Sequence, residues 1–225
     1  MGRRAFVWLG GMLFAVSLTA CAWCYLVVMG RQARFGGWLP LVADAVLLTI
    51  FASHHSLFAR DAVKAMVARI IPLQLVRSFY VWVASLLLLI VSVGWWRIGG
   101  QLYTATGALA IAGGLVQLGG LCVTARGVAR IDPLELAGIR PARENEGLRV
   151  SGPYRWVRHP VYLGWVLMTF GAAHMTGDRL AFAMLTTAYL VAAIPWEERS
   201  LRRSFGEDYA RYMRQVRWRM IPFIY

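Results

Sequence analysis

The chain has 225 residues, 59% of them hydrophobic and 16% charged, a composition that excludes an ordinary soluble domain and makes lipid the natural solvent. Its net charge of +13 raises nucleic acid as a partner, so the placement of the basic residues has to decide.

A hydrocarbon core about 30 Å thick takes roughly 20 residues of apolar helix. Residues 5–29, 38–58, 74–96 and 102–124 each meet that length. The first run follows Arg3 and Arg4 as a signal peptide would, yet it is too long and lacks a small-residue cleavage site, so it is expected to persist as a helix. Cys21 and Cys24 form a C-x-x-C spacing inside this run, and Cys122 lies inside the fourth. No second ligand pair accompanies them, and they read as small buried residues of the lipid phase; no metal is expected. Gly113, Gly114, Gly119 and Gly120 in the fourth run read as close-packing positions between helices.

Two shorter apolar runs follow, 161–175 and 180–196, and are expected to form a helical hairpin broken at 176–179, where glycine and aspartate favour a turn. After Glu197, the positions Leu201, Phe205, Tyr209, Tyr212 and Val216 recur at helical spacing among arginines. That pattern predicts an amphipathic tail along the inner membrane surface, bent or interrupted at Gly206. The expected fold is all-α: a polytopic integral membrane protein with about six transmembrane helices, a carboxyl-terminal helical hairpin and an interfacial tail. One domain covers residues 1–225, with a four-helix platform over 1–124 and the hairpin and its loops over 125–225.

An internal amino terminus places Arg3, Arg4, Arg60, Lys64, Arg69, Arg77, the seven arginines from Arg126 to Arg158 and the seven from Arg199 to Arg219 on the cytoplasmic side. Only Arg31, Arg34, Arg97 and Arg179 fall outside. Cytoplasmic loops retain basic residues in this way, and anionic lipid heads attract them. Topology and membrane lipids therefore account for the charge without nucleic acid, and both termini are expected in the cytoplasm.

Charged and aromatic residues gather at the membrane–water ends of the hairpin: Tyr154, Trp156, Arg158, His159 and Tyr162 at one end, Glu197 and Glu198 after the second arm. Pro160 suits the first position of a helix, which puts His159 near its N-cap. Gly164 allows close approach of a ligand or a neighbouring helix. Two intramembrane-edge carboxylates need partners or water, and Arg202 and Arg203 stand at helical spacing from them.

The pattern from Gly152 through Tyr154, Arg158-His159-Pro160, Tyr162 and Gly164, followed by Glu197-Glu198, Leu201, Phe205-Gly206, Tyr209 and Tyr212, resembles the cofactor-binding core of the isoprenylcysteine carboxyl methyltransferase superfamily of integral membrane enzymes. Ser53-His54-His55-Ser56, Arg77-Ser78-Phe79-Tyr80 and Asp132-Pro133-Leu134-Glu135 resemble its bacterial branch of methanethiol S-methyltransferases and NnrU-like proteins. The resemblance implies methyl transfer from S-adenosylmethionine in a bacterial inner membrane, to a small or lipid-soluble acceptor, above all a thiol. It implies cofactor contacts at Tyr154, His159, Pro160, Val161, Tyr162 and Glu197, with Leu148 and Arg149 in the preceding loop. Arg158 can donate to the cofactor's carboxylate, Gly164 can admit it closely, and Glu197 can accept from ribose or hold the ammonium. Glu198 belongs to the same group or to a structural ion pair.

Such a transfer is an in-line displacement in which positioning and exclusion of water supply much of the rate. His54, His55 and Arg60, with Asp132, are the candidates for the acceptor side, since an imidazole titrates near neutral pH and can assist loss of a thiol proton. His174, at the far end of the hairpin, is expected to be non-catalytic. The sequence departs from the resemblance in two places. Pro195 stands where an arginine commonly precedes the Glu-Glu pair, and Arg217 replaces the usual proline near the carboxyl-terminal valine. Prenylcysteine carboxyl or phospholipid amine methylation, an NnrU-like non-catalytic factor, and an NADPH-dependent reductase are the alternatives, the last disfavoured by a tail too short for an extended second nucleotide site.

Overall fold

Long runs of Leu, Val, Ala and Ile with few internal charges form helices because, away from water, a helix satisfies its own backbone polar groups. The computed structural model describes residues 2–58, 60–130, 132–140, 147–148 and 150–225. Among the described residues, five helices are long and apolar enough to cross a membrane: Gly2–Val28, Trp38–Phe58, Leu73–Gly94, Gly107–Val128 and Gly177–Gln215. The protein is thus an all-α polytopic membrane protein. In chain order the elements are α1 (Gly2–Trp23), continued by a π-helical turn over Cys24–Val28, α2 (Trp38–Phe58), α3 (Asp61–Val67), α4 (Leu73–Gly94), β1 (Gln101–Thr104), α5 (Gly107–Val128), α6 (Pro133–Leu136), α7 (Pro160–Phe170), β2 (His174–Thr176) and α8 (Gly177–Gln215).

The described chain forms two compact units. The first holds Met1–Gln101, Pro133–Ala142 and Thr176–Arg179. Within it α1 and α2 both pack on α4, and Trp82 of α4 stacks on Phe6 and donates its indole N–H to the Phe6 carbonyl at 3.0 Å. Asp178 is wholly buried and accepts from the Trp95 indole at 3.0 Å, Ile98 N at 2.8 Å and Gly99 N at 2.9 Å. Arg179, also buried, donates to the carbonyls of Tyr25 and Leu26 at 3.2 and 2.8 Å, where the π-helical turn leaves oxygens to be capped.

The second unit holds Leu102–Asp132, Arg143–Met175 and Leu180–Tyr225. Its frame is α5 against α7, and glycines set the distance between them. A Cβ on Gly120 would stand 2.6 Å from the Gly164 oxygen and 2.8 Å from Met168 N, and one on Gly113 would stand 2.8 Å from the Gly171 oxygen. Gly114 and Gly119 face open space, so the close-packing role expected of four glycines belongs to two of them.

Several expectations need correction. The first hairpin arm is helical for only the 11 residues of α7, about 16 Å, and then runs extended through Gly171 to β2. Non-helical backbone is tolerated at such depth only where its polar groups find partners. Here the Tyr103 hydroxyl donates to the Ala172 oxygen at 3.0 Å, Ala105 N donates to the Ala173 oxygen at 2.7 Å, and β2 pairs with β1. The fourth long helix starts at Gly107, because residues 101–104 are a strand. Residues 176–179 are a buried strand end and helix start in place of a turn: Asp178 collects indole and backbone donors that no spacing rule announces. Cys122 is exposed, whereas Cys21 and Cys24 are buried.

The second arm and the tail are one helical run through Pro195, broken at Gly206 with φ 51° and ψ −125°. Beyond the break the apolar stripe does not lie bare against lipid. Tyr209, Tyr212 and Val216 are buried, with Leu148, Leu201, Phe205 and Met213 packed on them.

Gly120→Ala is expected to cost about 1–3 kcal/mol by overpacking the contact between α5 and α7, and Gly114→Ala to be neutral or slightly stabilising. Thermal unfolding of the two variants in detergent checks the contrast.

Candidate active site

The local sequence dictates how the polar cluster of the second unit is assembled. Pro160 opens α7 at its first position, and His159 immediately before it leaves helical geometry with φ −122° and ψ 67°. The extended backbone of Arg158 and His159 donates its N–H groups to the carbonyls of Trp218 and Arg219, at 2.9 and 2.8 Å. This ties the start of α7 to the carboxyl-terminal segment and turns both side chains toward α8.

Arg158 donates through Nε to Glu198 Oε1 at 2.6 Å and through Nη1 to the carbonyls of Val216 and Arg217 at 2.8 and 2.9 Å. It thereby neutralises a buried carboxylate and caps oxygens just past the end of α8. Glu198 also lies 3.5 Å from Arg219 Nε through Oε2 and 3.5 Å from His159 Nε2 through Oε1. Its neighbour Glu197 accepts from the Tyr162 hydroxyl at 2.8 Å and lies 3.5 Å from His159 Nδ1. The His159 and Tyr162 rings stack, with centroids 5.3 Å apart and planes at 16°. Side-chain exposure separates the two carboxylates: 5% for Glu198 and 44% for Glu197. Glu198 is sealed into the ion pair expected of it, with Arg158 and Arg219 as partners in place of Arg202 and Arg203. Glu197 keeps a face a ligand can reach.

Burial lowers the pKa of His159, but hydrogen bonding and charge from Glu197 and Glu198 outweigh it and leave the imidazole above its ordinary value. Four buried side-chain polar atoms among the described residues of this unit lack a hydrogen-bond partner: His159 Nε2 and the hydroxyls of Tyr209, Thr124 and Thr187. Buried polar atoms are ordinarily satisfied, so the region has spare capacity for a polar ligand.

Of the other expected cofactor residues, Tyr154 accepts from the Tyr212 hydroxyl through its carbonyl at 2.7 Å. Leu148 packs on the Tyr209, Tyr212 and Val216 cluster. Pro160 is buried at the helix start, and Val161 faces Gly127. Gly164 faces Thr124 and Gly120, so its missing side chain serves the contact between α5 and α7. Arg149 lies outside the described residues. Sequence reasoning missed Arg219, which reaches Glu198, and the carbonyls that Arg158 caps. No spacing signal marks either, although the tyrosine stripe of the tail does mark Tyr209 and Tyr212.

The acceptor-side candidates belong to the first unit. The Tyr80 hydroxyl and His55 Nδ1 are 2.5 Å apart, and the His54 ring stacks on Tyr80 at 5.7 Å and 10°. Both His54 ring nitrogens are buried without a hydrogen-bond partner. Arg60 is exposed and precedes α3 in extended conformation. Arg77 donates to the Glu135 carbonyl at 2.7 Å and Ser78 to the Gly138 carbonyl at 2.7 Å, so the segments around residues 54, 78 and 135 gather in this unit. Asp132 adopts φ 44° and belongs to the other unit. His174 bonds Thr104 at 2.7 Å beside the strand pair.

The model of the phospholipid methyltransferase family matches residues 109–208. The methanethiol S-methyltransferase of Crocosphaera subtropica is 37% identical over 194 residues, covering 82% of this chain and 75% of that protein. The enzyme of that name from Mycobacterium tuberculosis is 34% identical, covering 78% and 76%. Protein-S-isoprenylcysteine O-methyltransferase A of Arabidopsis thaliana is 33% identical over 84 residues, 36% of this chain and 42% of that protein. No solved structure matches.

Arg158→Met is expected to destabilise the protein by about 3–5 kcal/mol, because it strands a buried carboxylate, while Glu197→Gln changes stability by under about 1 kcal/mol. Denaturant unfolding in detergent measures both. Because its folded pKa is raised, protonated His159 contributes stability that is complete below about pH 6.5. That contribution fades as pH rises through the elevated folded value. Thermal midpoints measured across that range are expected to fall with rising pH in the parent protein and to flatten in His159→Gln.

Proposed function

The chain belongs to the methanethiol S-methyltransferase family, and we propose that it transfers a methyl group from S-adenosylmethionine to a small thiol of the methanethiol class. The observation that carries the cofactor assignment is the cluster of Tyr162, His159 and Glu197 around two unsatisfied buried polar atoms, His159 Nε2 and the Tyr209 hydroxyl. These residues fit the group. When bound, S-adenosylmethionine supplies an electrophilic methyl carbon on a sulfonium.

The protein's own contribution is positioning. Arg158, fixed by Glu198 and by the carbonyls of Val216 and Arg217, holds the start of α7 against α8. His159 is thereby stacked on Tyr162, and Tyr162 is tied to Glu197. Glu197 is the exposed acceptor for hydroxyl or ammonium donors, and the tyrosine face can meet a positive sulfonium. The thiol proton must leave to a base as the new carbon–sulfur bond forms. A thiol also suits the surroundings, since it partitions into apolar channels and its thiolate is a strong nucleophile. On this reading the protein lies in a bacterial inner membrane with both termini in the cytoplasm, and the cofactor arrives from that side.

A second acceptor class rests on a specific observation. The family model that matches residues 109–208 is that of phospholipid methyltransferases, so an aminophospholipid is the rival acceptor.

Calorimetry on purified protein in detergent is expected to show S-adenosylmethionine binding that weakens about tenfold or more in His159→Ala and Glu197→Ala, with no binding of NADPH. Equal affinity in all three proteins sinks the site. A labelled methyl donor, offered with methanethiol, prenylcysteine and aminophospholipid in parallel, is expected to yield labelled dimethyl sulfide; a labelled lipid would move the assignment to the rival class.

A further inference from the structure

One cavity of the first unit has a volume of about 710 Å³. That lies within the roughly 300–1,000 Å³ typical of ligand pockets and far exceeds the space a two-heavy-atom thiol fills. Its lining has a direction. Along α4 it runs from Leu73 to Leu88, about 22 Å of helix, comparable with one leaflet of a hydrocarbon core about 30 Å thick plus its interface. Lys64, Gln74 and Arg77 line the end near the start of α4, whereas Leu18, Ala84 and Leu88 line the deep end. Among the described residues, both formally charged lining residues are basic. Arg77 is steadied by Glu135, 3.5 Å away, and its side chain remains 36% exposed. In the depth, the Ser85 hydroxyl is buried without a hydrogen-bond partner.

A cationic mouth over a long apolar shaft has the shape and charge complement of an anionic amphiphile. We propose that this cavity is a binding site for a membrane phospholipid with an acidic headgroup, one acyl chain lying along α4 and the phosphate set against Lys64 and Arg77. Zwitterionic lipid supplies the same chain but brings its own cation to a basic mouth, which costs the electrostatic complement. His55 and Tyr80, expected on the acceptor side, also line this cavity; the proposal concerns retention of a lipid and not reaction at one.

The test uses the full chain purified in detergent. Native mass spectrometry is expected to find bound phosphatidylglycerol. After delipidation, added phosphatidylglycerol is expected to raise the thermal midpoint by about 5 °C or more, with little effect from phosphatidylcholine and none from glycerol phosphate. Ala84→Phe, which blocks the shaft, and Lys64→Gln, at an exposed position, are each expected to lose most of that shift. An equal shift with phosphatidylcholine, or an undiminished shift in Lys64→Gln, overturns the headgroup assignment and with it the proposal. A shift from glycerol phosphate alone reassigns the mouth to a soluble phosphate. Should Ala84→Phe keep the lipid shift while methyl transfer falls, the shaft belongs to the methyl acceptor instead.

Discussion

The buried contact between Arg158 and Glu198 is the constraint on which the second unit depends. A carboxylate removed from water carries a desolvation cost of several kcal/mol, and only a close, well-directed cation offsets it. Arg158 meets that demand at 2.6 Å and spends its remaining donors on the carbonyls of Val216 and Arg217. One guanidinium thus joins the start of α7, the middle of α8 and the carboxyl-terminal segment. His159 and Tyr162 inherit their positions from this junction, and Glu197, one residue along the same helix, is left facing outward with Tyr162 as its donor.

The division of labour between adjacent carboxylates follows from exposure. Glu198 is sealed, surrounded by Arg158, His159 and Arg219, and serves the fold. Glu197 is half-exposed and keeps a face open to the surroundings. The same principle governs the first unit, where buried Asp178 gathers an indole and two backbone N–H groups and Arg179 caps carbonyls beside the π-helical turn. In both units, polar residues in an apolar protein are spent on satisfying backbone at places where helices end.

Glycine provides the complementary device. Gly113 and Gly120 of α5 let the backbone of α7 approach to within a distance that any side chain would forbid. Because α7 is too short to cross a hydrocarbon core alone, its extended continuation needs the partners supplied by Tyr103, Ala105 and β1. A long apolar run was therefore readable as membrane-embedded without being readable as helix throughout.

Hydropathy and spacing determined the apolar character, the start and end of α2, the helix opening at Pro160 and the break at Gly206. Those features are local: they depend on transfer of side chains out of water and on the backbone preferences of proline and glycine. The motif also named Arg158, His159, Tyr162, Glu197 and Glu198 as a group. Tertiary structure decided which partner each takes, that the tail's tyrosines bury themselves on Leu148 and Phe205 in place of lying bare on lipid, and that Asp178 locks a loop some eighty residues away. Hydrogen bonds and ion pairs are short-ranged and directional, so their energies depend on distances that only the folded chain fixes, and sequence spacing beyond one helix carries no record of them.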